Sequence, residues 1–302
     1  LRNSSAASDV YKRQIMDRVK IAIQKNGRLS SDSLSLLRKC GIEFNESENM
    51  LFIKSTNMSV DLLMVRDDDI PRLVGQNIAD LGIVGENVIK EKQLSNNSLK
   101  IDQKIKLGFS KCRLSFAKPQ GFEVGDMNNL KIATSYPEIV RNYLSNKNID
   151  AEIIEIHGSV ELTPFVNISD IIVDLVSTGA TLESNNLVEF DNVMKSEAML
   201  ISSNNISSEK SLLIEKIISR INSVIEAKDS KYIMFNANTK DIDDLIDLLP
   251  SAESPTVIPL ADKSKVAIHS VCKEDIFWKT IESLKSRGAS SILVLPIEKL
   301  AN

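Results

Sequence analysis

Ile171–Glu183 reads IIVDLVSTGATLE: an apolar strand, a turn of small and hydroxyl-bearing residues, and the start of a helix. One carboxylate, Asp174, stands inside the strand near its carboxyl end. Ser177, Thr178, Gly179, Ala180 and Thr181 then break the run before Leu182 opens the helix. A strand that turns directly into a helix belongs to an open α/β sheet, whose ligands sit beyond the strand ends. Gly179 permits a tight turn, and the exposed amides of such a loop converge on one spot. The hydroxyls add donors, and the helix start favours an anion. A carboxylate beside a phosphate cradle is repulsive unless it meets sugar hydroxyls or Mg²⁺. Asp174 therefore points to a phosphorylated ribose, while an ordinary strand–turn–helix with an N-cap remains the plain alternative for the loop.

The same rhythm extends outward. Val19–Gln24, Leu62–Arg66, Asp80–Val84, Arg113–Ala117, Lys131–Ala133, Glu152–Ile156 and Met199–Ile201 read as strands. Helices are expected through Leu34–Cys40, after Pro71, after Gly85, and over Pro137–Ser145 and Val160–Phe165. Strand–helix–strand alternation predicts parallel pairing. Gln93–Lys106 is polar and reads as a loop or a solvated edge. Leu213, Ile214, Ile217, Ile218, Ile221, Val224 and Ile225 form the stripe of an amphipathic helix, and Ser202–Glu209 before it reads as a cap and hinge. The last part changes pattern: strand Tyr232–Asn236, a helix through Ile242 and Leu249, strands Thr256–Leu260 and Val266–Val271, a helix through Ile276, Phe277 and Leu284, and strand Ser291–Leu295. That order is the β-α-β-β-α-β ferredoxin-like plait.

Other candidates are weaker alone. In GSVEL, Gly158 and Ser159 read as a turn and an N-cap, with Glu161 in the first helical turn. Glu161 shares the α/β half of Asp174, so the two carboxylates suit one sugar site, although a first-turn Glu also simply complements the helix dipole. Lys25 and Arg28 bracket Gly27 at the end of the first strand and offer two cations to a polyphosphate or form a solvated basic turn. Arg66–Pro71, RDDDIP, suits Mg²⁺ or, more simply, helix capping, and Arg113 opens the second half.

The chain has 302 residues, 37 basic against 41 acidic, for a net charge of −4, which gives no footprint for nucleic acid or an anionic membrane. Hydrophobic residues at 42% and charged ones at 26% exclude a fibrous or disordered chain. No apolar run reaches the roughly 18 residues of a spanning helix. Cys40, Cys112 and Cys272 share no short spacing, and His157 and His269 are the only histidines, which argues against disulfides or a histidine metal centre. The expectation is a soluble, cytoplasmic protein. Residues 1–14 are expected to be a non-native or disordered leader, with Met16 the natural start.

From Met16 to Asn302 the motifs IAIQKNGRLS, VRDDDIP, DLGIVGENV, CRLSFA, KIATSYP, GSVEL, DLVSTGATLE, SKYIMFNA, SPTVIPLA and GASSILVLPIEK occur in order. In these the chain resembles the ATP phosphoribosyltransferases of histidine biosynthesis in their long form. The resemblance implies two α/β lobes like those of periplasmic binding proteins, lobe I over 15–111 with a return segment 191–227, and lobe II over 112–190. It implies a regulatory ferredoxin-like (ACT-like) domain over 228–302. The implied reaction joins N1 of ATP adenine to C1 of phosphoribosyl pyrophosphate and releases pyrophosphate, with Mg²⁺ required and no assigned protein ligands for it. By motif, Glu161 and Asp174 would face the ribose and Ser177–Thr181 the 5-phosphate. Lys25, Arg28 and Arg113 would meet ATP, and Asn236, Thr256 and Ser291 the inhibitor histidine. A homo-oligomer between dimer and hexamer is also implied, with no nucleic acid and no membrane as partner. The rival reading is a non-catalytic two-lobed sensor with an effector-binding plait.

Overall fold

Three β-sheets carry the chain in a computed structural model that describes residues 18–45, 50–96, 98–249, 254–273 and 277–300. Residues 1–14, Met16 and Ile276 lie outside the described residues. The chain divides into two compact units, one to Ile214 and one from Glu215.

In chain order the first unit runs β1 (Val19–Gln24), α1 (Arg28–Lys39), β2 (Phe52–Lys54), β3 (Val60–Val65), a 3-10 turn (Asp67–Asp69), α2 (Ile70–Gly75), β4 (Leu81–Gly85), α3 (Glu86–Ser95) and β5 (Ile101–Lys106). It continues through β6 (Cys112–Pro119), β7 (Lys131–Thr134), α4 (Pro137–Asn146), β8 (Glu152–Glu155), a 3-10 helix (Val160–Val166), β9 (Ile171–Val176), α5 (Ala180–Ser184), β10 (Leu187–Ser196) and β11 (Ala198–Ser203). Two sheets result, ordered β2-β3-β1-β4-β11-β5 and β10-β6-β9-β7-β8. These are the two lobes.

Burial explains the order of the first sheet. β1, β4 and β11 are largely buried on both faces, as strands covered from both sides are. β5, from the stretch expected as loop or edge, buries Ile101 and then exposes Asp102, Gln103 and Lys104 in a row, as suits the edge it forms. Gly82 lets α2 close down on the sheet: a Cβ there would stand 2.6 Å from the Ile70 side chain and 2.9 Å from Val74.

Parallel pairing holds in part. β1 pairs parallel with β3 and β4, and β7 with β8 and β9. β11 is antiparallel to β4 and β5, and β6 to β9 and β10. The reason is the route of the chain. β6 and β11 each enter a sheet directly from the other lobe, at the end toward which the β-α-β strands run, and so run away from it. The chain returns to the first sheet later than expected. β10 stays bonded to β6 through Ser196, six residues past Phe190, where the resemblance placed the return. At the crossing the two connections bond to each other, Leu107 N–H to the Ala198 carbonyl at 2.9 Å and Ala198 N–H to the Phe109 carbonyl at 3.0 Å. The expected hinge at Ser202–Glu209 shrinks to residues 204–207, because Ser202 and Ser203 end β11 and Ser208 starts the next helix.

That helix, α6 (Ser208–Lys228), contains the division between the units. The second unit then holds β12 (Ser230–Asn238), a 3-10 turn (Thr239–Asp241), α7 (Ile242–Ile246), β13 (Thr256–Pro259), β14 (Lys265–Lys273), α8 (Phe277–Ser286) and β15 (Ser290–Pro296). Its sheet, β13-β14-β12-β15, is antiparallel throughout, which is the ferredoxin-like order 4-1-3-2 read from the other edge. Ile233, Phe235, Ile268, Leu245 and Leu284 form its core. α7 is shorter than its apolar spacing suggested, although Leu249 is still buried.

Candidate active site

β9 sits in the middle of the second sheet and delivers Asp174 two residues before its carboxyl end. Asp174 is half-buried; burial raises its carboxyl above the ordinary 3.8, with nearby Glu161 adding repulsion and the Leu175 N–H, donating at 2.7 Å, opposing both. Glu161 and Asp174 thus lie near enough for their charges to interact. Glu161 arrives on the 3-10 helix Val160–Val166, which Pro164 keeps from continuing as α-helix. Ser159 occupies its N-cap position in a left-handed conformation, φ 51°, with no side-chain capping bond, contrary to the expected cap.

The loop after β9 is open and backbone-rich. Ser177, Thr178, Ala180 and Thr181 are exposed. Gly179 takes φ +90°, a region that penalises a side chain, and so turns the strand into α5. Thr178 Oγ1 accepts the Ala180 N–H at a long 3.4 Å. Arg113 braces this loop: its Nη1 donates to the Ser177 carbonyl at 3.2 Å, and its Nε donates to Glu189 at 2.5 Å within a two-pronged ion pair. The guanidinium holds Glu189 below the usual carboxylate range. Arg113 also lines a cavity of about 360 Å³ with Glu86, Lys106, Lys111, Ser177 and Lys195.

The first sheet meets this site with its own strand ends. Lys25 and Arg28 are exposed after β1, with Gly27 between them at φ +94°. Asp67 follows β3, and burial followed by repulsion from Asp68 raises its carboxyl. Tyr136, between β7 and α4, joins the two edges. It packs against the apolar cores of both lobes. Burial, then the charges of Asp67, Asp174 and Asp68, raise its phenol, and a hydrogen bond with Asn87 works the other way. Sequence reading passed over Tyr136 and Asn87 and left Asp67, within RDDDIP, between Mg²⁺ binding and helix capping. The available signal was positional, since all three directly follow strands whose carboxyl ends line an α/β site.

Among the described residues of the second unit, the sheet turns its core side chains toward α7 and α8 and leaves the opposite face the more exposed. Asn236, Thr256 and Ser291 lie on it, Asn236 beside Ser291 across a bulge in the β12–β15 pairing and Thr256 across β14. Tyr232 and His269 share that face, joined by a 2.7 Å hydrogen bond.

Residues 66–223 match the family HisG, ATP phosphoribosyltransferase. The chain belongs to the ATP phosphoribosyltransferase family. Residues 227–299 match the HisG C-terminal domain, which makes it the long form. The ATP phosphoribosyl transferase (HisG:HisZ) complex from Thermotoga maritima is similar at 28% identity, covering 69% of this chain and 98% of that one with a TM-score of 0.60. Two further solved structures align at lower similarity. The periplasmic VFT2 domain of Bordetella pertussis BvgS is 10% identical over 74% of this chain and 97% of its own, TM-score 0.44. The arginine-bound truncated ArgBP from T. maritima is 11% identical over 70% and 98%, TM-score 0.44. As an ATP phosphoribosyltransferase the protein is a pentosyltransferase, and the sensor alternative falls away.

Proposed function

We propose that lobe II holds phosphoribosyl pyrophosphate and lobe I presents ATP to it, with histidine acting from the plait. The observation that carries this reading is the half-buried Asp174 carboxyl, within electrostatic reach of Glu161 and next to the open Ser177–Thr181 loop. The loop amides and hydroxyls would take the 5-phosphate, and the two carboxylates the ribose hydroxyls and the cationic character that develops at C1. Lys25 and Arg28 would meet the ATP phosphates. As N1 of adenine bonds to C1, the C1–oxygen bond breaks and its electron pair leaves with pyrophosphate. An aromatic ring nitrogen is already a nucleophile, so the chemistry asks for alignment more than for a strong base.

Among the described residues no cluster of three or more His, Cys, Asp or Glu is placed to hold a metal. The donors fit Mg²⁺ carried mainly by substrate oxygens, with Asp67 or Asp174 as a carboxylate ligand. Such an ion neutralises the departing pyrophosphate. Among the described residues no helix is long and apolar enough to cross a membrane, and a cytoplasmic homo-oligomer is the setting proposed. Pyrophosphate release that requires both substrates and Mg²⁺ tests this reading, and release without ATP would defeat it.

The more exposed plait face supports the reading that histidine binds there. Asn236 and Thr256 stand two strands apart and two residues out of register, about 12 Å, which an amino acid lying across β14 spans with the help of both side chains. Thr256→Ala and Asn236→Ala should each raise the half-inhibiting histidine concentration by roughly 5-fold or more, within the usual range of allosteric coupling, while uninhibited turnover stays the same. Unchanged inhibition in both variants would place histidine elsewhere.

A further inference from the structure

We infer that Asn87 and Glu91, one helical turn apart on α3, latch lobe I to lobe II and fix the angle at which Asp174 and the Ser177–Thr181 loop face Lys25 and Arg28. The inference rests on the activity proposed above. Glu91 is 9% exposed, and its partners belong to the other lobe. Its two carboxylate oxygens accept the backbone N–H groups of Glu138 at 2.8 Å and Ile139 at 2.9 Å. Those are first-turn donors of α4, which no acceptor within their own helix can satisfy. Burial raises the Glu91 carboxyl and the two N–H donors pull it back; the charged groups facing it are Glu138, itself paired with Arg141, and Lys92.

Asn87 extends the contact to the crossing strand. It is 3% exposed; its N–H donates to Ser196 Oγ at 3.1 Å, and the Ser196 hydroxyl donates to its Oδ1 at 2.7 Å. Ser196 is the last residue of β10 before the chain re-enters lobe I. Asn87 also lies near the phenol of Tyr136, which packs against both cores. One face of α3 therefore grips the crossing, the aromatic plug and the start of α4. Gly85 leaves room for this: a Cβ there would stand 2.4 Å from Asn87 Oδ1.

Substrates held by different lobes react only at the correct inter-lobe angle. An error in that angle moves the reacting atoms apart without touching either lobe's own contacts, and a displacement near 1 Å costs about 100-fold. Glu91 also fills the α4 donors, which leaves phosphate to the β9 loop. Neither residue touches substrate; both are positioning residues.

The test uses the full chain with Glu91→Ala, Glu91→Gln and Gly85→Ala. Gly85 has φ −67°, so alanine fits its backbone and disturbs chiefly the Asn87 side chain. We expect kcat to fall about 10- to 100-fold in Glu91→Ala, less in Glu91→Gln, which keeps one acceptor, and at least several-fold in Gly85→Ala. Dissociation constants for ATP and for phosphoribosyl pyrophosphate, each alone by calorimetry, should stay within about twofold. Without substrate, small-angle scattering should give Glu91→Ala a larger radius of gyration than wild type. Normal kcat in the folded variants, affinities that fall in step with kcat, or an unchanged radius would each overturn the latch. Gly85→Ala decides the matter if Glu91→Ala does not fold. A wild-type protein with no pyrophosphate release defeats the activity instead, and scattering then still judges the latch.

Discussion

Asp174→Asn is expected to lower turnover by roughly 10- to 150-fold, the loss of about 1.5–3 kcal/mol for a hydrogen bond to a charged group, while the melting temperature at neutral pH stays level or rises. The two directions have one cause. Burial and Glu161 both disfavour the ionised form, so the folded protein holds a proton on Asp174 above its ordinary 3.8. The folded state then binds more protons than the unfolded one between 3.8 and the raised value, and stability falls as pH rises through that window. At neutral pH the cost is present in full. Asparagine keeps the shape and removes the charge, so it removes the cost together with the electrostatic support for C1. Thermal unfolding measured across pH should show the variant's advantage at neutral pH and its loss below 3.8. A variant with wild-type turnover would mean that Asp174 is a tolerated buried charge with no part in the reaction.

The strand–turn–helix of Ile171–Glu183 was legible because apolar period, glycine and hydroxyl residues all agree there. The plait was legible for the same reason, with each strand and helix flagged by its own spacing. What the pattern hid was direction and partnership. Nothing local in Arg113–Ala117 or Met199–Ile201 tells that these strands run against their neighbours, because that follows from which lobe the chain has just left. β10 went unread because it is bulged at Glu189/Asp191 and Asn192/Met194, which blurs the two-residue alternation that marks a strand. At the site, Asp174 and the loop announce themselves, since a charge in an apolar run and a glycine in a hydroxyl cluster are locally odd. Tyr136, Asn87 and Glu91 are ordinary residues for where they stand in sequence. Their roles exist only once α3 of one lobe meets the start of α4 of the other.

Gly179→Val should raise KM for phosphoribosyl pyrophosphate by roughly 10- to 150-fold and leave ATP binding unchanged, because the loop would lose at least one charge-assisted donor to the 5-phosphate. Steric bulk is not the cause. A Cβ at Gly179 meets nothing within 4 Å, so the added side chain has room. The cost lies in the backbone at φ +90°, where an L-residue loses about 1–2 kcal/mol and a β-branched one more. The loop ends in the short helix α5, and its residues are mostly exposed, so it relieves that strain by turning rather than by unfolding the lobe. Turning re-aims the amides that follow Gly179 and scatters the donors. The melting temperature should therefore move little while KM moves greatly. A series separates conformation from volume: Asn tolerates left-handed backbone better than Ala, and Ala better than Val. KM should rise in the order Gly, Asn, Ala, Val, although Asn is larger than Ala. If KM instead follows side-chain size, placing Ala before Asn, the loop excludes bulk at the phosphate and the requirement at this position is space.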